Sequence, residues 1–366
     1  MSTVTNIYIL VLVSSLFILS SCGGSSSGDE RSSNTENIPG DVLNPSVSGR
    51  FFFESGDSAY VKDLQTGINT LIPHTDWENQ NDLYPLGIAS FYAQASMYDG
   101  VEFLVQVDSC KRNGPDVLDT EITCFSIQDY NGNYTGGFDL LNQVLGFAKL
   151  SRDRQYVALF RGLSDDWLAI YSRDGEFISN NKIDSASFDW LPDGRIVYGQ
   201  GNQFVFTDPY STLQVNTLTL SSSLEGSLTN LSVSPDGSRI AFSMFLSGNF
   251  AAVQSIPYVM DLDGMNIRQL AMRPGGSSPI MGAPVWSPDG GSIFLTAGGA
   301  SGQDPNAPGV LGYGYVIPSS SNKVMVLSSD DGEKSPEVIR LKHYLLGQAG
   351  NVVTERFSNY SYSWQP

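Results

Sequence analysis

The chain has 366 residues, of which 41% are hydrophobic and 16% are charged. This is enough apolar material for one large domain or two ordinary ones. Its formal net charge of −18 repels phosphate backbones, so nucleic acid is excluded as an expected partner. The 37 glycines and 18 prolines are typical of an all-β protein with many tight turns.

The N-terminal segment has the character of an export signal. Residues Asn6 to Ser21 read NIYILVLVSSLFILSS, an apolar run that is short for a membrane span and ends in small residues. The following stretch, Leu19-Ser20-Ser21-Cys22, resembles the lipobox of bacterial lipoproteins, in which the cysteine becomes the lipidated first residue. No Lys or Arg precedes the apolar run, which departs from the usual basic start of a signal. An uncleaved anchor helix is the alternative.

The lipobox resemblance implies a signal peptide over residues 1–21 and lipidation of Cys22. Gly23 follows that cysteine, which favours the outer membrane. Residues Gly23 to Asp41 are polar and cannot bury enough surface to fold, so residues 22–46 are predicted to be a flexible tether. We therefore expect a lipid-anchored protein of the bacterial cell envelope, on its periplasmic or surface side.

Two further cysteines, Cys110 and Cys124, remain after the proposed lipidation site. An exported compartment permits a disulfide bond between them, and we expect one with a structural role. Metal ligation is the alternative, but no histidine accompanies the pair.

A repeated motif dominates the rest of the chain. NLSVSPDGSRIAFSM (Asn230 to Met244) and APVWSPDGGSIFLTA (Ala283 to Ala297) share Ser-Pro-Asp-Gly between apolar strands. Ser, Pro and Gly at these positions favour a type I turn, so each copy predicts a β-hairpin. Weaker copies lie at 91–107, 147–160 and 188–200. A second hairpin follows each first one, at 60–72, 125–137, 168–179, 204–216, 258–270 and 324–339.

Each repeat unit therefore contains four antiparallel strands in roughly 40 to 50 residues, as a propeller blade does. Six second hairpins accompany only five first hairpins. The C-terminal YSYSWQP looks like a truncated APVWSPDG, and SGRFFFES (Ser48 to Ser55) looks like its continuation. The sequence thus predicts a six-bladed β-propeller over residues 47–366, closed by the C-terminal strand completing the first blade. One equivalent core position is then occupied by Leu150, Trp190, Val233, Trp286 and Trp364.

These blades resemble the PD40 repeats, a WD40-like class typified by the propeller domain of TolB, over roughly Val47 to Pro366. The motif is specific for fold rather than for function. TolB carries an α/β domain ahead of its propeller, whereas residues 1–46 here are expected to be signal and tether. We therefore expect a TolB-like propeller lipoprotein that is not TolB itself, and the peptidoglycan-associated lipoprotein is not inferred as its partner.

Blade geometry predicts where a binding surface lies. With the strands of each blade labelled A to D from the inside outwards, the A–B and C–D turns share one face, here called the tight-turn face. The B–C loops and D–A connections share the other, the long-loop face, and variable loops on a rigid scaffold commonly bind partners. We expect binding on the long-loop face and the mouth of the central channel. Its predicted loops are 73–87, 246–255, 272–283, 298–314, 343–359 and the loop between Cys110 and Cys124.

Few residues suggest chemistry. His74 and His343, the two histidines, could bind a metal or act as acid and base, but no carboxylate or third ligand accompanies them, so no metal is assigned. Asp261 to Asn266 resembles a calcium loop, yet its twelfth position is Met272 rather than Glu, so a hairpin turn is expected. No Gly-x-Ser-x-Gly elbow or phosphate loop occurs. No catalytic residue and no cofactor are predicted.

The sequence predicts a non-catalytic binding scaffold that docks a protein, peptide or glycan of the envelope. The first alternative is a propeller enzyme, a lyase or hydrolase of glycans or lactones with its site in the central channel. A structural envelope protein without a small ligand is the third interpretation. The identity of the partner and the binding residues are not specified by the sequence.

Overall fold

The structure is a computed structural model whose described residues all belong to the unit from Ile38 to Pro366. The predicted signal peptide and tether therefore lie outside the described residues. The described ranges are 47–55, 58–65, 69–71, 91–94, 101–108, 122–129, 131, 133–141, 148–161, 167–183, 187–210, 214–221, 224, 226–246, 254–272, 280–298, 312–327, 334–341, 343–346, 352–355 and 363–365.

The described residues form four-stranded antiparallel sheets, as the repeat predicts. Blade 1 contains β4 (Phe91–Gln94), β5 (Glu102–Asp108), β6 (Ile122–Asp129) and β7 (Tyr134–Leu141). Blade 2 contains β8 (Ala148–Leu150), β9 (Tyr156–Arg161), β10 (Trp167–Ser172) and β11 (Phe177–Lys182). Blade 3 contains β12 (Phe188–Trp190), β13 (Ile196–Gln200), β14 (Gln203–Thr207) and β15 (Gln214–Thr219).

Two more blades follow along the chain. Blade 4 contains β16 (Ser227–Val233), β17 (Arg239–Leu246), β18 (Gln254–Asp261) and β19 (Arg268–Gln269). Blade 5 contains β21 (Ile280–Trp286), β22 (Ser292–Gly298), β23 (Gly312–Pro318) and β25 (Ile339–Leu341). Between them lies β20 (Ala271–Met272), which pairs in parallel with β24 (Met325–Val326).

The remaining four-stranded sheet joins the two ends of the described chain and is called the composite sheet. Its order is β28-β1-β2-β3, with β1 (Arg50–Ser55), β2 (Ser58–Asp63), β3 (Asn69–Leu71) and β28 (Ser363–Gln365). In it Phe51 lies opposite Trp364. The described residues thus form a β-propeller with five blades of continuous chain, where the sequence predicts six. The four strands of the composite sheet are not consecutive in sequence, because β28 comes from the other end of the described chain.

The Ser-Pro-Asp-Gly turn is built as its composition predicts. In blade 4 the Gly237 N–H donates to the Ser234 carbonyl at 2.9 Å. The Ser234 hydroxyl donates to Asp236 Oδ1 at 2.6 Å and accepts the Arg239 N–H at 2.9 Å. In blade 5 the Ser287 hydroxyl likewise donates to Asp289 Oδ1 at 2.5 Å and accepts the Ser292 N–H at 2.8 Å. A type I turn followed by a glycine with positive φ, +73° at Gly237, therefore connects the strands.

The repeated motif also joins neighbouring blades. A Cβ atom placed on Gly237 would lie 2.7 Å from Cδ of Pro192, the proline of the preceding turn in blade 3. A Cβ on Gly290 would likewise face Cδ of Pro235, at 3.7 Å. The proline of one turn thus packs against the glycine of the next, which gives the repeat a packing role beyond its turn chemistry.

The predicted second hairpin at 324–339 is wrong. The third strand of blade 5 is β23, and it pairs directly with β25. The intervening segment instead crosses to β20, where Met325 N–H donates to the Leu270 carbonyl at 2.9 Å. Met325 and Leu327 are buried there beside Leu270 and Ala271. Burial of these apolar side chains outweighs the local hairpin pattern.

Two loop predictions also need correction. The segment 343–359, predicted to be an irregular connection, contains a hairpin of β26 (His343–Leu346) and β27 (Val352–Glu355). The B–C connection of blade 3 is a two-residue turn, because Gln200 pairs with Gln203. The long-loop face is therefore not formed by long loops in every blade.

The core lies between blades, as expected for this architecture. The equivalent residues predicted to pack there are all buried, at 0% exposure for Leu150 and Trp190, 2% for Val233, and 5% for Trp286 and Trp364. Trp190 Nε1 donates to the Lys149 carbonyl of blade 2 at 3.1 Å. Trp286 Nε1 donates to the Ser232 carbonyl of blade 4 at 3.1 Å. These bonds satisfy the only polar group of each ring.

Alanine at Gly237 should destabilise the protein by about 2–3 kcal/mol, because a left-handed conformation costs ~1 kcal/mol and the clash with Pro192 adds an overpacking cost. Gly194 is the matched control, since its φ is +87° and no atom lies within 4 Å of an added Cβ. Gly194→Ala should cost only about 1 kcal/mol. Urea unfolding of both variants measures the difference, and equal costs would contradict the packing role.

Candidate functional site

Polar side chains of the innermost strands bond across blades 2, 3 and 4. Lys149 Nζ lies 3.2 Å from Asp189 Oδ1 and donates to the Phe188 carbonyl at 2.8 Å. Asp189 Oδ2 accepts the Val233 N–H at 2.7 Å, and its side chain is only 4% exposed. One ion pair thus connects three successive inner strands through backbone groups. A buried carboxylate with these partners has a structural role.

Arg152 extends the same network at the tight-turn face. It occupies the position that proline takes in Ser-Pro-Asp-Gly, and it reaches across blade 3 to blade 4. Its guanidinium donates to the Trp190 carbonyl at 3.2 Å, to Pro235 at 2.6 Å and to Ser234 at 3.0 Å. The planar guanidinium suits several carbonyls at once. Arg152 is therefore committed to joining three blades.

Blades 1 and 2 are joined at the same face by Arg173 and Glu102. Their side chains form two bonds, at 2.9 Å and 3.1 Å, and Arg173 also donates to the Thr135 carbonyl at 2.9 Å. The bonds from Arg173 hold the pKa of Glu102 below its usual value, although burial opposes this. The bond to Glu102 in turn raises the pKa of Arg173. Both groups therefore stay charged across the physiological range.

The turn carboxylates are also held as anions. The hydroxyl of Ser234 and the N–H of Ser238 lower the pKa of Asp236 to about 2, against partial burial. The hydroxyl of Ser287 and the N–H of Gly291 lower the pKa of Asp289. These carboxylates are engaged by their own turns, which leaves them little freedom for proton transfer.

The predicted candidate residues are not brought together within the described residues. His343 begins β26, opposite Glu355, whereas His74, Cys22 and Cys110 lie outside the described residues. Cys124 lies in β6 opposite Val107. In the part of the chain that the structure describes, no group of three or more His, Cys, Asp or Glu side chains could hold a metal ion.

The segment that resembles a calcium loop is a hairpin turn between β18 and β19. The Gly264 N–H donates to the Asp261 carbonyl at 2.9 Å, and Asn266 Nδ2 donates to Asp261 Oδ2 at 2.6 Å. Asp263 Oδ1 accepts the Met265 N–H at 2.9 Å. Both carboxylates therefore accept hydrogen bonds from their own turn.

Most of the predicted long-loop face lies outside the described residues, including 73–87 and 299–311. None of the described ranges holds a helix of the length and apolarity that a membrane crossing needs. The described residues include the A–B turns of blades 2 to 5 at the tight-turn face. There, sequence reasoning missed Arg152, whose only signal is an arginine in the place of the turn proline.

Sequence reasoning also missed a row of exposed apolar side chains in the C–D turns. Four successive blades each present one, and their exposed fractions range from 47% to 65%. The signal was present in the sequence, because an acidic residue precedes each one by one to five positions. These side chains are Tyr134, Phe177, Tyr210 and Met265.

No protein-family model matches this chain, and no curated protein matches it. Among solved structures the chain is similar to TolB from Acinetobacter baumannii, with 13% identity and a TM-score of 0.53. That similarity covers 87% of this chain and 67% of TolB. At such low identity it establishes a shared β-propeller fold and nothing about function.

Two further solved structures are similar at TM-scores below 0.5, which carry no argument. One is a protein of unknown function from Bacteroides caccae, at 10% identity and a TM-score of 0.46, covering 87% of this chain and 99% of that one. The other is hydrazine synthase of Kuenenia stuttgartiensis, at 15% identity and a TM-score of 0.44, covering 64% of this chain and 66% of that one.

Replacing Asp236 with Asn should make stability less dependent on pH in the acid range. The pKa of Asp236 is lowered from 3.8 to about 2 on folding. Its ionised form therefore stabilises the fold above pH 3.8, and this contribution is lost as the pH falls through about 2. We expect the free energy of unfolding of the wild type to exceed that of Asp236→Asn by about 1 kcal/mol at pH 7, after solvent screening is allowed for.

Urea unfolding from pH 7 down to pH 2 measures this difference, which should shrink to a small fraction at the acid end. Ser234→Ala is the control, because it removes the hydroxyl donor and keeps the titrating carboxyl group. It should lose part of the same stability at pH 7. A difference that is undiminished at pH 2 would contradict the assignment.

Proposed function

We propose that this protein is a non-catalytic binding scaffold of the cell envelope. Its propeller docks a protein, peptide or glycan, and we assign this role to the long-loop face. The proposal rests on one observation. The two charged side chains of the described inner strands, Lys149 and Asp189, bond to the backbone of neighbouring blades. Side chains that hold blades together are unsuited to proton transfer or metal ligation in the channel.

We also propose that the propeller ring is closed, with the C-terminal strand completing the composite sheet. Support comes from the pairing of β1 with β28 and from the bond of Trp364 Nε1 to the Ser48 carbonyl at 3.0 Å. Phe51 packs against Phe294 of blade 5, with ring centroids 4.6 Å apart. Closure would remove the open sheet edges that invite aggregation. A chain without residues 363–366 that unfolds at an unchanged urea concentration would contradict this arrangement.

The envelope location rests on the lipobox resemblance, in which Cys22 carries the lipid and an outer-membrane anchor is favoured. We further propose a disulfide between Cys110 and Cys124. Cys124 lies opposite Val107, three residues before Cys110 along the chain. A bond there would clamp the base of the loop between them.

Mass spectrometry of the mature protein tests the anchor and the disulfide together. We expect an N-terminal peptide that begins at a lipid-modified Cys22, and a mass lower by two hydrogens than that of the reduced chain. Cys22→Ala should move the protein from the membrane fraction to the soluble fraction. An unmodified Cys22, or alkylation of Cys124 without prior reduction, would contradict the respective proposal.

Affinity capture tests the scaffold role. The full mature chain with Cys22→Ser is immobilised and exposed to envelope extract, beside a variant in which residues 299–311 are replaced by a Gly-Ser linker. We expect the first chain to retain one partner and the linker variant to retain at least about tenfold less of it, because binding energy concentrates in few contacts. Equal capture by both chains, or turnover of a glycan or lactone by the purified protein, would contradict the proposal.

A further inference from the structure

A row of exposed apolar side chains lies in or next to the C–D turns of blades 1 to 4, at the tight-turn face. Tyr134 is 47% exposed, Phe177 54%, Tyr210 64% and Met265 65%. Single exposed apolar residues need no explanation, but one in each of four successive turns is a repeated feature. We call these four side chains, with the acidic side chains beside them, the turn rim.

The turn rim is continuous because each C–D turn packs on the outermost strand of the preceding blade. Gly175 in the blade 2 turn lies against Phe138 of blade 1. The Ser179 hydroxyl of blade 2 donates to the Pro209 carbonyl in the blade 3 turn. Gly264 in the blade 4 turn lies against Leu218 of blade 3. Neighbouring members of the row are therefore held in a fixed spatial relation.

Two aromatic members of the rim, Phe177 and Tyr210, are fixed on one side and open on the other. The ring of Phe177 meets Tyr171 edge-on at 5.7 Å, and Tyr171 stacks on Phe138 at 5.3 Å. The ring of Tyr210 meets Tyr156 edge-on at 5.3 Å. A partner that covers these rings would lose little side-chain entropy on binding, which is a property of binding anchors.

The charge around the row is net acidic. The C–D turns and the strand residues that flank them carry two basic side chains, Arg173 and Arg268. Glu102 engages Arg173 at 2.9 Å, and Arg268 donates to a backbone carbonyl of blade 5. Several of the acidic side chains accept N–H groups of their own turns, as Asp208 does from Tyr210 at 2.8 Å. Such bonds leave a carboxylate with its negative charge. The acidic side chains of the four turns are Asp129, Asp174, Glu176, Asp208, Asp261 and Asp263.

The exposed apolar side chains and the acidic side chains of the turn rim together favour one class of binding partner over the others. A second copy of the chain would bring the same acidic turns and a net charge of −18 against them, and anionic lipid would be repelled likewise. A small ligand cannot contact turns of four successive blades at once. A polypeptide with alternating basic and apolar side chains matches both the charge and the row of anchors.

We propose that the turn rim is a docking surface for a basic, aromatic-rich segment of a partner protein. It lies at the opposite end of the strands from the long-loop face assigned above. A negative binding result at one face therefore leaves the proposal for the other face unaffected. The binding role of the turn rim is additional to the one proposed for the long-loop face.

A fluorescent peptide of about twelve alternating Lys and Phe residues, which spans roughly 40 Å when extended, is the probe. Its anisotropy is measured with the full mature chain carrying Cys22→Ser. We expect saturable binding that weakens at least about tenfold in the Phe177→Ser/Tyr210→Ser variant, which keeps the net charge unchanged. Phe245→Ser is the matched control, since Phe245 is an exposed aromatic residue (37%) near the far end of β17, and it should bind like the wild type.

A second variant separates charge from apolar contact. Glu176→Gln/Asp263→Asn keeps every aromatic ring, and both side chains are exposed, so the fold is retained. It should weaken binding and flatten its dependence on salt. Unchanged binding by both rim variants would overturn the proposal. Equal binding of an alternating Glu-Phe or Ser-Phe peptide would also overturn it, as would self-association of the protein through the rim.

Discussion

The fold depends on bonds between the ends of neighbouring innermost strands. A four-stranded sheet has two faces, and in a propeller each face is covered by another blade. Trp190 and Trp286 fill that interface and donate their ring N–H to a carbonyl of the preceding blade. The ring N–H would otherwise be buried without a partner, so each tryptophan fixes the position of one blade on the next as well as filling space.

The same requirement that buried polar groups find partners explains why Asp189 and Arg152 are engaged in structural bonds. Strands that converge on an axis leave backbone groups near one another, and Asp189 and Arg152 bond to such groups on neighbouring blades. Removal of either partner would leave a buried polar group unsatisfied, which costs more than the bond itself contributes. A catalytic group at these positions would have to combine that structural role with proton transfer. The described inner strands thus support the proposed scaffold role, which assigns binding to the faces of the propeller.

Sequence alone predicts the local part of this fold well, because turn chemistry and strand alternation are local properties. The residues Ser234 to Gly237 are sufficient to predict the turn that they form. The burial of Trp364 is predicted from the similarity of its segment to that of Trp286. The crossing of β24 to β20 depends on where Met325 and Leu327 find apolar neighbours, and that is decided across blades. The reach of Arg152 is of the same kind, because its carbonyl partners lie up to 83 residues away. Such contacts leave no signal in the spacing of a single repeat.

The two faces of the propeller differ in what they leave open to function. On the tight-turn face an aspartate and a glycine are fixed by turn geometry, and prolines such as Pro192 and Pro235 by packing on the next blade. The exposed apolar side chains of the turn rim stand in or next to their C–D turns and have no such backbone duty. Polar side chains at these exposed positions would serve solubility better than apolar ones. Turn geometry therefore gives no reason for the apolar side chains that four successive blades present there. A partner that covers them supplies one, and the acidic groups around them restrict that partner to a basic one.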